Sequence, residues 1–249
     1  MKRLRVGVVG QGTAGTAAAL FLSRAGHDVH VVERVEHPGP VGAGIILQPT
    51  GMAVHTRLGL AQRVLERGTP LSGLDVKTVT GRPRVSLDYA TIASDLYGLG
   101  IHRGALFQAL AADLAVSTVR LETGLAATGV RRDANGSWIE VEDGEARGPF
   151  DLVLIADGAR SRVAEAFFEK RRSVAYRWGA LWYVAHDTER LFDRRLEQTV
   201  RGAQRMIGLL PTGLGPASSE ASAPEIPLVS LFYSVRSDRV STVLGDFAG

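Results

Sequence analysis

The chain has 249 residues, 45% of them apolar and 22% charged, enough for one large domain or two modest ones with a real core. It carries no cysteine, which excludes disulfides, a thiol nucleophile, thiolate metal ligands and a cysteinyl-linked flavin, and is compatible with a reducing cytoplasm, where the protein is expected to work. The 29 basic and 26 acidic residues leave a net charge of only +3, and the densest basic run, EKRRS at Glu169–Ser173, reads as a solvated helix end, so no nucleic-acid partner is expected.

The opening MKRLR followed by VGVVGQGTAGTAAALFL has the outline of a signal peptide. Gln11, Thr13, Thr16 and four glycines break its apolar run, so it reads instead as strand, turn and helix. No other stretch offers the roughly 18 uninterrupted apolar residues of a membrane span. Arg3–Val9 is a short β-branched strand, and Ala14–Ala25 is a helix stopped by Gly26. Asp28–Glu33 is a second strand, which completes a βαβ opening and favours a parallel sheet. A Gly/Pro-rich loop, a strand at Ile45–Leu47 and helical patterns over Thr50–Leu58 and Leu60–Glu66 follow. Leu74–Thr80 and Val85–Tyr89 alternate around TGRP as a hairpin does. Arg103–Ala115 is a periodic helix, and Val119–Glu122, Ala126–Arg132 and Ser137–Glu142 read as strands. Asp151–Ile155 reads as a buried strand. Beyond Tyr176 the chain turns β-rich again, with the polar GPASSEASAPEIP as an exposed loop. The simplest architecture is a nucleotide-binding domain with a second β-rich layer.

Gly10-Gln11-Gly12-Thr13-Ala14-Gly15 matches G-x-G-x-x-G between a strand and a helix. In such a turn the first glycine permits the tight bend, the second admits a pyrophosphate, and the third lets helix and strand close up. Glu33, at the end of the second strand, suits both ribose hydroxyls and repels a 2′-phosphate. The hexapeptide and its acid leave the choice between NAD and FAD open.

The segments VGVVGQGTAG, VVER, GAGIILQPTG, GIHRGALFQAL and LIADGARSRV resemble, in order and spacing, the FAD-dependent aromatic hydroxylases, single-component flavoprotein monooxygenases with the para-hydroxybenzoate hydroxylase fold. The resemblance runs over about residues 4–240. It implies an α/β fold in which a Rossmann-like, FAD-binding parallel sheet is interleaved with a β-rich substrate layer. The FAD-binding domain would take residues 1–70 and 101–175, and an incomplete substrate domain 71–100 and 176–249. It implies that Gly10, Gly12, Thr13, Ala14 and Gly15 hold the FAD pyrophosphate, that Glu33 holds the adenosine ribose and that Arg34 lies on the adenosine side. Arg103 would meet FAD phosphates or ribitol, and Asp157 and Gly158 form the Asp-Gly motif for FAD and nicotinamide contact. Arg160 and Arg162 stay open between cofactor contact and structural ion pairing, and His102 between a place near flavin and simple packing.

The implied reaction is hydroxylation of a small aromatic substrate with O₂, NADH or NADPH serving as transient reductant. The cofactor carries the chemistry, so no catalytic triad and no metal site is expected, and none of the six histidines has ligand spacing. Trp178, Trp182, Tyr183, Met206, Leu209, Leu210, Phe232 and Tyr233 supply either a substrate wall or plain core. The spacing of WGALW and the scarcity of lysine disfavour halogenation. The family's third motif, a strand-borne Gly-Asp opening a helix, is imitated by Gly245-Asp246, after which only Phe247, Ala248 and Gly249 are given. The reading is therefore a truncated relative of such an enzyme, with a non-catalytic FAD- or nucleotide-binding remnant as the alternative.

Overall fold

The computed structural model describes residues 2–168, 174–217 and 225–248. The EKRRS run at 169–173 and the centre of the polar loop at 218–224 lie outside the described residues. In chain order the elements are β1 (Arg5–Val9), α1 (Thr13–Arg24), β2 (Asp28–Val32), β3 (Gly44–Leu47), α2 (Pro49–Arg57), α3 (Ala61–Arg67), β4 (Thr69–Leu71), β5 (Gly73–Thr78), β6 (Pro83–Asp88), β7 (Gly98–His102) and α4 (Arg103–Ala115). There follow β8 (Arg120–Glu122), β9 (Ala127–Asp133), β10 (Gly136–Val141), β11 (Arg147–Phe150), β12 (Leu152–Ile155), α5 (Arg162–Phe167), β13 (Trp178–His186), β14 (Arg195–Arg201), β15 (Arg205–Gly213), β16 (Leu228–Arg236) and α6 (Val240–Ala248). Contacts divide the chain into two compact units, residues 1–40 with 107–173 and residues 41–106 with 174–249.

The first unit is built on a four-stranded parallel sheet in the order β12-β1-β2-β8. Valines 6, 8, 9, 29, 31 and 32 make its centre, all at most 3% exposed. Such β-branched runs favour a sheet covered on both faces. Helix α1 contributes buried Ala19 and Leu20. The antiparallel meander β9-β10-β11 lays Ile139, Val141 and Phe150 against Val9, Val32 and Val163. Gly7 makes room for it: a β-carbon there would stand 2.7 Å from the Phe150 ring. Each buried side chain of this size contributes about 1.5–3 kcal/mol. Strand β12 departs from expectation. It pairs only with β1, at the sheet's edge, so DLVLI is partly exposed and Leu152 reaches 40%.

His30 packs edge-on against Phe150, and its Nε2 lies 3.2 Å from Glu122 Oε1 without hydrogen-bond alignment. Burial holds its imidazole below the ordinary value, with Glu122 opposing. Glu122 also receives the Arg147 guanidinium at 2.7 Å.

The second unit holds a six-stranded sheet in the order β13-β16-β15-β14-β5-β6 and a three-stranded sheet in the order β3-β7-β4. The β5–β6 hairpin forms around TGRP as its alternation predicts. Strand β14 joins that hairpin in parallel, and Arg195 clasps the junction. Its guanidinium donates to Asp75 at 2.6 and 3.1 Å, to Ser72 Oγ at 3.2 Å and to the Leu87 carbonyl at 3.1 Å.

Helix α6 contains Gly245 and Asp246. The pair therefore lies inside a helix and not at the end of a strand. The spacing of Val240, Val243 and Leu244 is helical, which a reading centred on the dipeptide overlooks.

Candidate functional site

The turn from β1 into α1 separates the roles of its three glycines. Gly10 has φ +98°, and a β-carbon there would lie 2.7 Å from the Ala156 carbonyl oxygen. A β-carbon on Gly15 would lie 1.9 Å from the Gly10 carbonyl oxygen, so only glycine lets the helix start close on the turn. Gly12 is different: nothing lies within 4 Å of where its side chain would begin. Gly12, Thr13 and Ala14 are exposed. Gly12 occupies the N-cap position and supplies no side-chain cap, and the first turn holds no acid. The amide donors of this helix start thus face open space, at the positive end of the helix dipole.

Glu33 does not face bulk water. Its carboxylate accepts the Gln11 N–H at 2.7 Å and the Val35 N–H at 2.9 Å. Those bonds fix its orientation and leave lone pairs for further donors. Gly10, Glu33, Arg34 and Asp157 line one cleft of about 320 Å³. Asp157 Oδ1 is buried in it without a hydrogen-bond partner among the described residues. Gly158, at φ +93°, is exposed with open space around it. The structure thus brings Gly10, Glu33, Arg34 and Asp157 together, next to the Gly12–Ala14 turn.

The same cleft includes residues the sequence reading did not single out: Ala126, Ala127, Thr128 and Glu142. They arrive because Leu125 N–H bonds the Glu33 carbonyl at 2.9 Å and Gly124 N–H bonds the Val35 carbonyl at 3.2 Å. This pairing across about ninety residues has no local signature; the small pair Ala126-Ala127 is the only trace. Arg160 and Arg162, left open above, also line the cleft. A diphosphate-bearing cofactor fits these residues: free amides, an unfilled approach at Gly12, the three guanidinium groups of Arg34, Arg160 and Arg162, and an orphaned buried carboxylate oxygen at Asp157 that suits a hydroxyl donor of the cofactor.

Arg103 belongs to the second unit. It opens α4 directly after β7 and is exposed. Its backbone N–H donates to the Ala43 carbonyl at 3.0 Å. Its side chain lies across Gly42, where a β-carbon would stand 3.3 Å from Arg103 Cδ. His102 is buried, and its Nδ1 accepts the Gly104 N–H at 3.0 Å. Burial pushes its imidazole below the ordinary value; a hydrogen bond to the Gly42 backbone opposes this, and the Arg103 charge adds to it.

The aromatic and apolar residues of the larger sheet do not form one wall. The register pairs Phe232 with Trp182 on one side and Gly208 on the other, Trp178 with Arg236, and Leu210 with Ser230. Strand alternation therefore puts Trp178, Trp182, Met206, Leu210 and Phe232 on one face and Tyr183, Leu209 and Tyr233 on the other. Leu210 is 3% exposed and is core, whereas Trp182 at 54% and Tyr183 at 67% are open on opposite faces. No helix among the described residues is long and apolar enough to cross a membrane.

Comparison with known proteins agrees with this geometry. The FAD binding domain family matches residues 3–225. The chain is 34% identical over 164 residues to 3-amino-4-hydroxybenzoate 2-monooxygenase of Streptomyces cremeus, covering 64% of this chain and 41% of that one. It is 30% identical over 207 residues to 2-heptyl-3-hydroxy-4(1H)-quinolone synthase of Pseudomonas aeruginosa, covering 82% and 52%. The chain thus spans about half the length of these curated relatives. In fold it is similar to 2-methyl-3-hydroxypyridine-5-carboxylic acid oxygenase, with a TM-score of 0.77 at 20% identity over 95% of this chain and 60% of that one. With its glycine turn, fixed Glu33 and Asp157 cleft, the chain belongs to the FAD binding domain family.

Proposed function

We propose that this chain holds FAD for the NAD(P)H-consuming hydroxylation of a small, electron-rich aromatic substrate by O₂. The observation that carries the reading is the uncapped start of α1, with open space at Gly12, beside a cleft whose carboxylate Glu33 is already oriented by two amides. Gly12, Thr13 and Ala14 would receive the pyrophosphate on their backbone, and Gly10 and Gly15 would shape the turn. Glu33 would accept from the ribose hydroxyls, and Arg34 would border the adenosine. Asp157 and Gly158 would take the polar middle of the cofactor, and Arg103 its phosphate or ribitol region. Bound FAD supplies reduction by nicotinamide and oxygen transfer; the protein supplies binding, orientation and exclusion of water. The sheet face bearing Trp178, Trp182, Met206 and Phe232 is the better candidate for contact with a planar substrate. In function we divide the chain into an FAD-binding part, residues 1–70 with 101–175, and a substrate part, residues 71–100 with 176–249. Its use of soluble nicotinamide and O₂, with no cysteine to pair, suits the cytoplasm.

Titration with FAD, followed by visible spectroscopy and flavin fluorescence, tests binding. Oxygen uptake with NADH or NADPH, on adding hydroxylated aromatic acids and quinolones, tests turnover. A protein that stays colourless and leaves FAD fluorescence unchanged would refute the proposal. A second reading, FAD held without turnover, is favoured by the position of Gly245-Asp246 inside α6. Substrate-dependent oxygen consumption by this chain would exclude it.

A further inference from the structure

We infer that Arg147 is a positioning residue for the Glu33 cleft: its guanidinium fastens the end of β8 to the turn that leaves β10, and this brace sets the backbone that aims the Glu33 carboxylate. The inference rests on the FAD reading above and extends it to an arginine outside the lining of that cleft.

Every nitrogen of this guanidinium is spent within the first unit. Nε donates to Glu122 Oε2 at 2.7 Å, Nη2 to Asp143 Oδ2 at 2.8 Å and Nη1 to the Glu145 carbonyl at 2.5 Å. Asp143 in turn accepts the Glu145 N–H at 2.9 Å, so the turn is closed on itself as well as on the arginine. The side chains of Arg147 and Glu122 are 19% and 21% exposed, which shields the pair from much of the solvent that weakens surface ion pairs. Arg120 also donates to Glu122, but its side chain is 70% exposed.

Two arms lead from this brace to the cleft. On the β8 side, the Glu122 carbonyl accepts the Glu33 N–H at 2.8 Å, and the Leu125 N–H donates to the Glu33 carbonyl at 2.9 Å. The Gly124 N–H donates to the Val35 carbonyl at 3.2 Å, and the Val35 N–H is one of the two amides that orient the Glu33 carboxylate. Residues 122–125 therefore grip the Glu33 peptide groups on both sides, together with that of Val35. On the β10 side, Glu142 precedes Asp143 and donates its N–H to the Ala126 carbonyl at 3.0 Å; Glu142 and Ala126 both line the cleft with Glu33. Arg147 joins the two arms. A carboxylate spread over many directions loses more freedom when it meets ribose hydroxyls, and a fixed backbone beneath it lowers that cost. A planar guanidinium can hold two acids and a carbonyl at once, in a geometry that a lysine ammonium does not reproduce.

The test uses the full chain, with FAD titration by fluorescence, urea unfolding and amide hydrogen exchange. The variants are Arg147→Met, Arg147→Lys, Glu33→Ala and the double variant Glu33→Ala/Arg147→Met. Arg195→Ala, which loses a comparable clasp in the second unit, is the control for lost stability alone. We expect Arg147→Met to speed exchange at the Glu33, Gly124, Leu125 and Glu142 amides relative to those of β1. It should weaken FAD binding about fivefold, less than removal of the Glu33 carboxylate does. Arg147→Lys should fall between wild type and Arg147→Met, and it takes the place of Arg147→Met in every comparison if that variant does not fold. The double variant should bind FAD no more weakly than Glu33→Ala alone, since the arginine acts through the glutamate. Losses that multiply in the double variant, or a folded Arg147 variant that shifts only in unfolding and binds FAD like wild type, would overturn the inference. If wild type takes up no FAD, the proposed function fails, and exchange alone judges the brace: unchanged protection at those four amides in the Arg147 variants then refutes it.

Discussion

The starts of helices α1 and α4 present opposite solutions to the same electrostatic problem. Both follow a strand, α1 after the Gly10–Gly12 turn and α4 without a gap, and both have a positive dipole end. At α1 the N-cap is a glycine with open space around it and no side-chain cap, so the amides themselves are offered. At α4 the first amides are occupied by the Ala43 carbonyl and by His102, and a cation is added where the dipole disfavours one. A helix start left bare suits a phosphate pressed against backbone. A helix start closed internally but crowned by arginine suits a contact made at side-chain reach. The difference lies in what caps each end and not in the helix itself.

The comparison can be broken first at Gly15. Gly15→Ala forces a β-carbon to within 1.9 Å of the Gly10 carbonyl oxygen, so the turn must open. We expect a loss of about 3 kcal/mol or more in urea unfolding, at the upper end of overpacking costs, with FAD uptake lost as well. Gly12→Val should separate stability from binding. Its backbone, at φ −65°, tolerates a side chain and nothing lies nearby, so unfolding should move by at most about 0.5 kcal/mol. FAD affinity should nonetheless fall about a hundredfold, because the side chain fills the pyrophosphate's approach. Equal effects on unfolding and binding would show that Gly12 is structural only.

Glu33→Ala removes the carboxylate that accepts from Gln11 and Val35. It should weaken FAD binding by about 1.5–3 kcal/mol, the range for hydrogen bonds to a charged group, read by fluorescence titration. Acid should act through the buried histidines. Burial lowers the pKa of His30, His55 and His102 from 6.5. Between that value and each lower folded one, the unfolded chain binds more protons, so stability falls as pH drops below about 6.5 and levels off beneath the folded values. The melting temperature should therefore decline from pH 7 to 5, and His55→Leu should flatten the decline. The smallest effect is expected from Arg195→Ala, outside both helix starts. Loss of its partly exposed clasp on Asp75 should cost about 1 kcal/mol in unfolding and leave FAD affinity unchanged.

Much of the fold was legible because its signals are local. The helix Arg103–Ala115 and the TGRP hairpin follow from periodicity read within a dozen residues, and both are present. DLVLI misled on burial, because an apolar run cannot reveal whether its strand has one neighbour or two, and β12 has one. The aromatic residues beyond Tyr176 stayed open between substrate wall and core for a similar reason. Composition does not say which face a residue takes, and a shift of one position reverses it.

The amino-acid sequence by itself determined the glycine turn, the acid eighteen residues beyond Gly15 and the apolar strands around them, since each depends on backbone freedom and side-chain type over a short span. Only the tertiary structure decided that Ala126–Thr128 and Glu142 complete the Glu33 cleft, brought there by the Leu125 and Gly124 amides on the carbonyls of Glu33 and Val35. Those contacts join backbone groups far apart in the chain, and what pairs with a carbonyl or an amide is settled by packing and not by the residue's own identity.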